Sequence, residues 1–238
     1  MFNAQFDIYG GTIMNNVILD GHNLILKSGL SYAICGGFAI DLFLNRKIRR
    51  HTDYDITIFE ENRKDILRFM FEQGWDIYDH IWDNEGTDYL IPINSPDEER
   101  ALKAFCVWAV KPGCTLLTIE PKDEENNIFG YKMISNEVKN CDFIEIHFDG
   151  RDNDNFICNK KANITRALDK AILYSDGIPY LAPEVILYHK SAPEYIIWPK
   201  TIFDFYHTAH LLSDESRQWF IVALKATYPD GHEWLERL

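Results

Sequence analysis

Residues 35–57 read CGGFAIDLFLNRKIRRHTDYDIT. The stretch begins with two adjacent glycines, Gly36 and Gly37, and continues with an apolar run that can form a helix. A basic turn follows, and the stretch ends with two aspartates, Asp53 and Asp55, that are separated by one residue. Because glycine permits tight turns, the pattern predicts a strand, a turn, a helix and a second strand in direct succession.

The two aspartates fall at the start of a strand that the alternation of residues 54–59 predicts. Side chains of a strand alternate between its faces, so Asp53 and Asp55 are expected on the same side. Neighbouring carboxylates repel each other unless a cation lies between them, and oxygen ligands of this kind suit Mg²⁺, which also binds phosphate oxygens. The alternative is an exposed strand with a polar face.

The glycine turn precedes a helix and therefore places main-chain N–H groups where they can accept a phosphate. Gly36 and Gly37 have no Cβ that would block this approach. The alternative is a turn that only allows close packing.

A third acid lies on a strand predicted over Asp142–Phe148, where Glu145 stands between two isoleucines. A buried and unpaired glutamate is costly, which indicates a cation partner if that face is buried. If the face is solvated, the pattern indicates nothing. Asp142 and Asp149, which flank the strand, are alternative candidates for the third acid.

Periodicity and turn residues predict the remaining elements. We expect helices over 12–28, 62–73, 183–190 and 200–212, strands over 31–35, 75–82, 102–110 and 116–119, and a hairpin turn within 120–127.

The chain has 238 residues, of which 46% are hydrophobic and 26% charged, so it can bury a core. The change in pattern after the strand at 142–148 predicts a core domain over 1–155 and a mostly helical domain over 156–238. No segment is apolar enough to span a membrane, and the N-terminus lacks the pattern of a signal peptide.

Lysine and arginine number 24 against 37 acidic residues, for a net charge of −13. This balance disfavours binding to a nucleic-acid backbone and suits a small or cationic partner. The five cysteines form no CxxC pair, which indicates reduced thiols and a cytoplasmic protein. The eight histidines show no HxH or HExxH spacing, so a metallohydrolase is a weaker hypothesis.

The stretch GGFAIDLFLNRKIRRHTDYDI resembles the signature of nucleotidyltransferases with the polymerase-beta-like fold, and among them the aminoglycoside 2''-adenylyltransferases and lincosamide nucleotidyltransferases. The positions that match are Gly36, Gly37, Ala39, Ile40, Asp41, Arg46, Arg49, His51, Asp53, Asp55 and Ile56. Asn45 stands where glycine is usual. The resemblance implies an α+β fold with a mixed sheet flanked by helices and a mostly helical C-terminal part.

The resemblance continues more weakly downstream. The segment IEIH resembles the strand that carries the family's third carboxylate, with Glu145 in place of the usual aspartate. The segments GIPYLAPEVILYHK and PKTIFDF resemble two later family motifs, in which Lys190, Lys200 and Asp204 match and Thr201 replaces an aspartate. An amphipathic core helix with Lys200 as a surface charge is the structural alternative for the last segment.

The resemblance implies a Mg²⁺-dependent enzyme that moves a nucleoside monophosphate, AMP from ATP or the equivalent from another nucleoside triphosphate, onto a hydroxyl of a small molecule. The expected acceptor is a cationic antibiotic such as an aminoglycoside, or a lincosamide. Asp53, Asp55 and Glu145 are then the catalytic residues and the ligands of one or two Mg²⁺ ions.

The same resemblance assigns nucleotide binding to Gly36, Gly37, Arg49, His51 and Lys190. Arg49 and His51 have a structural alternative, a basic turn that shields the aspartates.

Two other hypotheses stay open. The acceptor is a protein or an RNA, as in nucleotidyltransferases of toxin–antitoxin pairs, although the acidic composition argues against RNA. Alternatively, the chain is a catalytically silent module that keeps the fold and binds nucleotide.

Overall fold

The structure, a computed structural model, describes residues 16–82, 88–161 and 163–238. Strands and helices alternate irregularly along the chain, and the strands pair in both parallel and antiparallel fashion. The predicted α+β class with a mixed sheet is therefore confirmed.

The helices and strands are, in chain order, α1 (Asn16–Leu26), β1 (Tyr32–Ile34), α2 (Gly36–Leu44), β2 (Asp55–Phe59), α3 (Arg63–Glu72), β3 (Asp76–Trp82), β4 (Asp88–Ile93), α4 (Glu99–Lys103), β5 (Cys106–Val110), β6 (Leu117–Asp123), β7 (Ile128–Met133), β8 (Phe143–Arg151), β9 (Asn155–Ile157), β10 (Thr165–Ala167), α5 (Leu168–Ala171), β11 (Ile172–Ser175), β12 (Ile178–Leu181), α6 (Pro183–His189), α7 (Pro193–Ile196), α8 (Pro199–Thr208) and α9 (Asp214–Thr227). Short 3₁₀ turns occupy Glu60–Asn62, Ala209–Leu211 and Glu233–Glu236.

The described residues fall into two compact units that interleave along the sequence. The strand-rich unit consists of residues 16–32 and Arg50–Phe148, and the helix-rich unit of Ala33–Arg49 and Asp149–Leu238. The division predicted between residues 155 and 156 stays a prediction.

In the strand-rich unit, the strands lie in the order β2–β8–β5–β3–β4–β7–β6. From β8 to β6 every neighbouring pair is antiparallel. Residues 106–110 of β5 are buried throughout and form the centre of this sheet, and α3 packs on β2 and β3. Helix α3 has one buried and one exposed face, and this helical periodicity in the sequence explains why the helix was predicted.

In the helix-rich unit, Ile34 of β1 pairs in parallel with Tyr180 of β12, and β11 and β12 form a hairpin. A second small group pairs the end of β8 with β9, and β9 with β10. Helix α6 is buried over six consecutive residues, Pro183–Tyr188, and packs against α2, α8 and α9. This buried helix is the core of the unit.

Most predicted elements are confirmed within one to four residues at their ends. They include β1, α2, β2, α3, β3, α6, α8 and the hairpin turn between β6 and β7. Residues 16–26 of the first predicted helix are helical, and positions 12–15 of that prediction lie outside the described residues.

Three predicted boundaries are wrong. Residues 102 and 103 belong to α4, so that the strand begins at Cys106. Strand β8 continues through Asp149 and Gly150 to Arg151, because residues 150 and 151 pair with β9. The segment after residue 151 forms four short strands and the one-turn helix α5 before α6 begins at Pro183, and strands of three or four residues are too short to show a period.

Asn45 ends α2 in the left-handed conformation, at φ 53° and ψ 33°. Glycine adopts this conformation most easily, and asparagine is among the residues that tolerate it best. The backbone of this turn is held further by Asp41, whose Oδ1 accepts from the Ile48 N–H at 3.0 Å. Asparagine in place of the usual glycine therefore preserves the turn.

All five cysteines lie in the described part of the chain and are free thiols, as predicted. Across the same residues, no helix combines the length and apolar character that a membrane crossing requires.

Gly21 lies in the middle of α1, where a glycine ordinarily weakens a helix. A Cβ at this position would lie closer than 3.0 Å to the ring of Tyr54, which is fully buried. The Tyr54 hydroxyl reaches the Ile18 carbonyl at 3.5 Å on the same helix. Gly21 therefore makes room for the tyrosine that precedes β2.

We predict that Gly21→Ala lowers the free energy of unfolding by about 1–3 kcal/mol, because the buried Tyr54 ring must move. Asn23→Ala on the exposed side of α1 is the control, and it should leave stability unchanged or slightly raised. Urea unfolding of both variants measures the difference. A Gly21→Ala protein as stable as Asn23→Ala would show that the close approach to Tyr54 carries no energetic weight.

Candidate active site

The three predicted acids of the strand-rich unit come together. Asp55 begins β2 and is 8% exposed, while Asp53 lies two residues before the strand. Glu145 lies on β8, and its backbone N–H donates to the Tyr54 carbonyl at 3.0 Å. The backbone hydrogen bond thus fixes Glu145 beside the residue that separates the two aspartates.

The position of Asp53 corrects one detail of the sequence argument. The strand begins at Asp55 and not at Tyr54, so alternation within a strand does not place Asp53. Its proximity to Glu145 is nevertheless evident, since its charge acts on that carboxyl.

Glu145 carries the strongest electrostatic perturbation of this group. Burial raises the pKa of Glu145 well above its usual value, and the negative charges of Asp55 and Asp53 raise it further. A hydrogen bond to Asp55 also favours the protonated form of Glu145. The negative charges of Asp55 and Asp53 therefore disfavour the ionised form of Glu145.

His147 counteracts the rise in the pKa of Glu145. Its Nε2 atom lies 3.7 Å from Asp55 Oδ1 and 3.7 Å from Glu145 Oε2. A positive imidazolium at this position lowers the pKa of Glu145. His147 therefore lies at the same distance from two of the acids and can interact with both.

The carboxyl cluster fits a divalent cation by the chemistry of its donors. Asp53, Asp55 and Glu145 offer oxygen ligands, which Mg²⁺ prefers, and the raised pKa of Glu145 shows that its ionised form is disfavoured beside the two aspartates. A bound cation would favour that ionised form.

The two alternative acids have structural partners. Asp142 accepts hydrogen bonds from the Thr115 N–H at 2.8 Å and the Thr115 hydroxyl at 2.7 Å. Asp149 accepts from the Asn159 N–H at 2.9 Å and lies 3.7 Å from His189 Nε2. These bonds assign both residues to loop fixation and leave Glu145 as the third acid of the cluster.

The glycine turn lies in the helix-rich unit, where α2 begins directly at Gly36. Gly36 has φ of 61°, a left-handed conformation in which glycine is strongly favoured, and Gly37 is buried in the first turn. Cys35 precedes the helix with extended backbone and makes no side-chain cap. The turn therefore has the backbone form that a phosphate-binding helix N-terminus requires.

Arg49 and Lys190 meet at one buried carboxylate in the helix-rich unit. Arg49 donates to Asp204 through Nε at 2.7 Å and Nη2 at 2.9 Å, and Lys190 Nζ lies 3.3 Å from the same carboxylate. Asp204 is fully buried and Arg49 nearly so. Sequence reasoning matched Asp204 to a family motif but did not reveal that it holds both cations.

His51 belongs to the strand-rich unit and is 1% exposed, and its carbonyl accepts from the Val138 N–H at 2.8 Å. Lys200 lies in α8, with Nζ 5.5 Å from the centre of the Trp198 ring. The nucleotide-binding roles predicted for Gly36, Gly37, Arg49, His51 and Lys190 stay predictions.

Sequence reasoning missed Cys106, which it treated only as one of five reduced thiols. Cys106 pairs in register with His147 across β5 and β8, and the ligand atoms of Cys106, Glu145 and His147 all lie within 4.8 Å of one another. Burial raises the pKa of the Cys106 thiol, whereas the neighbouring His147 lowers it. The sequence did predict a strand that contains Cys106, but a strand prediction does not indicate which strand pairs with it.

Lys160 was also missed. Its Nζ donates to the Tyr188 carbonyl at 3.1 Å and to the Ser191 hydroxyl at 3.0 Å, and it lies 5.2 and 5.3 Å from the ring centres of Tyr188 and Tyr228. Burial lowers the pKa of Lys160 to about 8.

Comparison with known proteins gives a family match and several similar structures. Residues 18–85 match the family model described as aminoglycoside-2''-adenylyltransferase. The resemblance inferred from the motifs is confirmed. The matched segment contains Gly36, Gly37, Asp53 and Asp55, whereas Glu145 and the motifs after it lie beyond its end.

Three similar solved structures are a solution structure of the antibiotic-resistance factor ANT(2'')-Ia, a crystal structure of ANT(2'')-Ia with adenylyl-2''-tobramycin, and lincomycin-bound LnuA, a lincosamide antibiotic adenylyltransferase. Each is 14% identical to the chain, with TM-scores of 0.49, 0.47 and 0.47. The alignments cover 90%, 89% and 83% of this chain and 93%, 98% and 100% of the other. Similarity at this level establishes no substrate for the present chain.

No curated protein sequence matches the chain at the threshold applied.

We predict that Asp204→Asn lowers the free energy of unfolding by about 3–5 kcal/mol, because it removes the charge that compensates buried Arg49 and Lys190. The control is Glu99→Gln, which breaks the exposed pair with Lys103 and should cost no more than about 1 kcal/mol. Urea unfolding at neutral pH compares the two. Equal and small losses would show that Asp204 does not anchor the cations.

We predict that the stability of the wild type relative to Lys160→Met rises with pH above about 8. The folded protein releases the Lys160 proton near its pKa of about 8, whereas the unfolded chain holds this proton up to the ordinary lysine pKa of 10.5. Folding is therefore favoured as the pH rises between these two values. The slope should reach at most about 1.4 kcal/mol per pH unit. Urea unfolding from pH 7 to 10 measures it, and parallel curves for the two proteins would contradict the burial of the ammonium group.

Proposed function

We propose that the chain is a Mg²⁺-dependent nucleotidyltransferase that transfers a nucleoside monophosphate, AMP from ATP first among the candidates, to a hydroxyl of a small molecule. The observation that carries the proposal is the convergence of Asp53, Asp55 and Glu145 in one cluster, in which the charges of the two aspartates raise the pKa of Glu145. The family match over residues 18–85, which contains both aspartates, supports the same reaction class.

In this proposal, Asp53, Asp55 and Glu145 hold the metal. Mg²⁺, when bound, supplies positive charge that offsets the negative triphosphate. The acceptor oxygen forms a bond to the α-phosphorus, the bond from that phosphorus to the bridging oxygen breaks, and pyrophosphate leaves. Glu145 takes the proton of the acceptor hydroxyl, a role for which a carboxyl with a raised pKa is suited.

The nucleotide-binding roles form the second part of the proposal. Gly36 and Gly37 contact phosphate oxygens through main-chain N–H groups at the start of α2. Lys190 and Arg49 provide positive charge, with Asp204 fixing the position of both, and His51 belongs to the same set.

The proposed acceptor is a cationic antibiotic of the aminoglycoside class, with lincosamides as the second class to test. The net charge of −13 attracts a polycationic acceptor, and the matched family is named for aminoglycoside adenylylation.

We predict that purified protein with Mg²⁺ and α-labelled ATP or GTP transfers label to at least one aminoglycoside or lincosamide. Asp53→Asn, Asp55→Asn and Glu145→Gln should each lower the rate at least about 100-fold, because each removes a charge that acts on the reacting groups. Glu120→Gln, which changes an exposed strand carboxylate in the same unit, is the control and should keep the wild-type rate.

Other outcomes of this assay separate the rival hypotheses. Label on a protein or an RNA would replace the small-molecule acceptor with that macromolecule. Mg²⁺-dependent nucleotide binding without pyrophosphate release would indicate a silent module. Full activity of the Asp53→Asn and Asp55→Asn proteins would refute the assignment of the acids.

A further inference from the structure

The acid cluster has a second side that magnesium chemistry does not use. Strands β5 and β8 pair in antiparallel register, with Cys106 opposite His147 and Trp108 opposite Glu145. Directly paired residues of an antiparallel sheet project to the same face, so Cys106, His147 and Glu145 share one face. A sulfur, an imidazole nitrogen and a carboxylate oxygen therefore point to a common space.

The spacing of these donors is close to that of a metal site. The Sγ, imidazole and carboxylate atoms lie within 4.8 Å of one another, and His147 Nε2 is 3.7 Å from Glu145 Oε2. Donors around a tetrahedral zinc ion lie roughly 3.5 Å apart, given bonds of about 2.0–2.3 Å. Rotation about side-chain torsions suffices to close the remaining gap, since Glu145 and His147 are both partly exposed.

A fourth donor is present in the same unit. Asp55 Oδ1 lies 3.7 Å from His147 Nε2, and the charge of Asp55 also acts on the Cys106 thiol. The set then contains one sulfur, one nitrogen and two carboxylates. Magnesium prefers oxygen ligands, whereas thiolate and imidazole ligands select zinc and similar transition metals.

We propose that Cys106, His147 and Glu145, with Asp55 as the fourth ligand, form a binding site for a divalent transition metal of the zinc class. Binding needs the thiolate form of Cys106, and the thiol proton passes to solvent. Because Glu145 and Asp55 also belong to the proposed magnesium site, zinc at this position excludes magnesium and inhibits nucleotidyl transfer. The binding site itself goes beyond the proposed function and does not depend on it.

Cobalt and zinc binding to the full-length protein test this site directly. Co²⁺ added to the reduced protein should give one bound ion per chain with a thiolate-to-metal charge-transfer absorption. Zn²⁺ should displace it in isothermal titration calorimetry. Cys106→Ser should abolish the charge-transfer band and weaken Zn²⁺ binding at least about 100-fold, and His147→Gln should weaken it similarly. Cys141→Ser, a cysteine outside the cluster, is the matched control and should bind like the wild type.

Folding of each variant is checked by circular dichroism and thermal unfolding, with Cys106→Ala as a second substitution if Cys106→Ser does not fold. A charge-transfer band that survives loss of Cys106, or a zinc affinity that is unchanged in the Cys106 and His147 variants, overturns the proposal. So does the absence of stoichiometric cobalt binding to the wild type.

Activity separates this site from the proposed function. Zinc should inhibit transfer by the wild type more strongly than transfer by Cys106→Ser in the presence of excess Mg²⁺. Spectroscopic binding without any transfer under Mg²⁺ would refute the proposed function and leave the zinc site standing. Nucleotidyl transfer without cobalt binding would refute the zinc site and leave the proposed function standing.

Discussion

The carboxyl group of Glu145 lies where burial and the charges of Asp53 and Asp55 all oppose its ionisation. Such an arrangement is unfavourable for folding, because a buried acid must either keep its proton or find a positive partner. Glu145 has a hydrogen bond to Asp55, which favours its protonated form, and an imidazole lies 3.7 Å from Glu145 and from Asp55. A cation bound beside these carboxylates would relieve the unfavourable interaction.

The helix-rich unit shows the opposite arrangement, in which two basic side chains interact with one carboxylate. Asp204 is fully buried and receives two hydrogen bonds from Arg49, while Lys190 lies 3.3 Å away. A planar guanidinium bound through two nitrogens has a fixed direction, whereas an ammonium group at that distance keeps some freedom. Arg49 is therefore the more rigidly held of the two cations, and Lys190, which is more exposed, keeps more freedom to move.

The sequence pattern predicted those structural features that depend on residues adjacent in the chain. The glycine turn, the helix after it and β2 follow from alternation and from glycine at Gly36, where φ is positive. Glu145 was found because one acid between two isoleucines conflicts with a buried strand. The short strands β9 to β12 were not predicted, because segments of three or four residues contain less than two full alternations. The roles of Asp204 and Cys106 depend on partners far away in sequence.

Register explains why those distant partners escaped prediction and why they matter chemically. Arg49 and Asp204 are 155 residues apart, and Cys106 meets His147 only because β5 and β8 pair in one particular alignment. A shift of one residue in that pairing would turn Cys106 to the other face and leave the cluster with nitrogen and oxygen donors alone. The same backbone alignment therefore decides whether a sulfur ligand, which favours zinc over magnesium, lies beside the acids and His147.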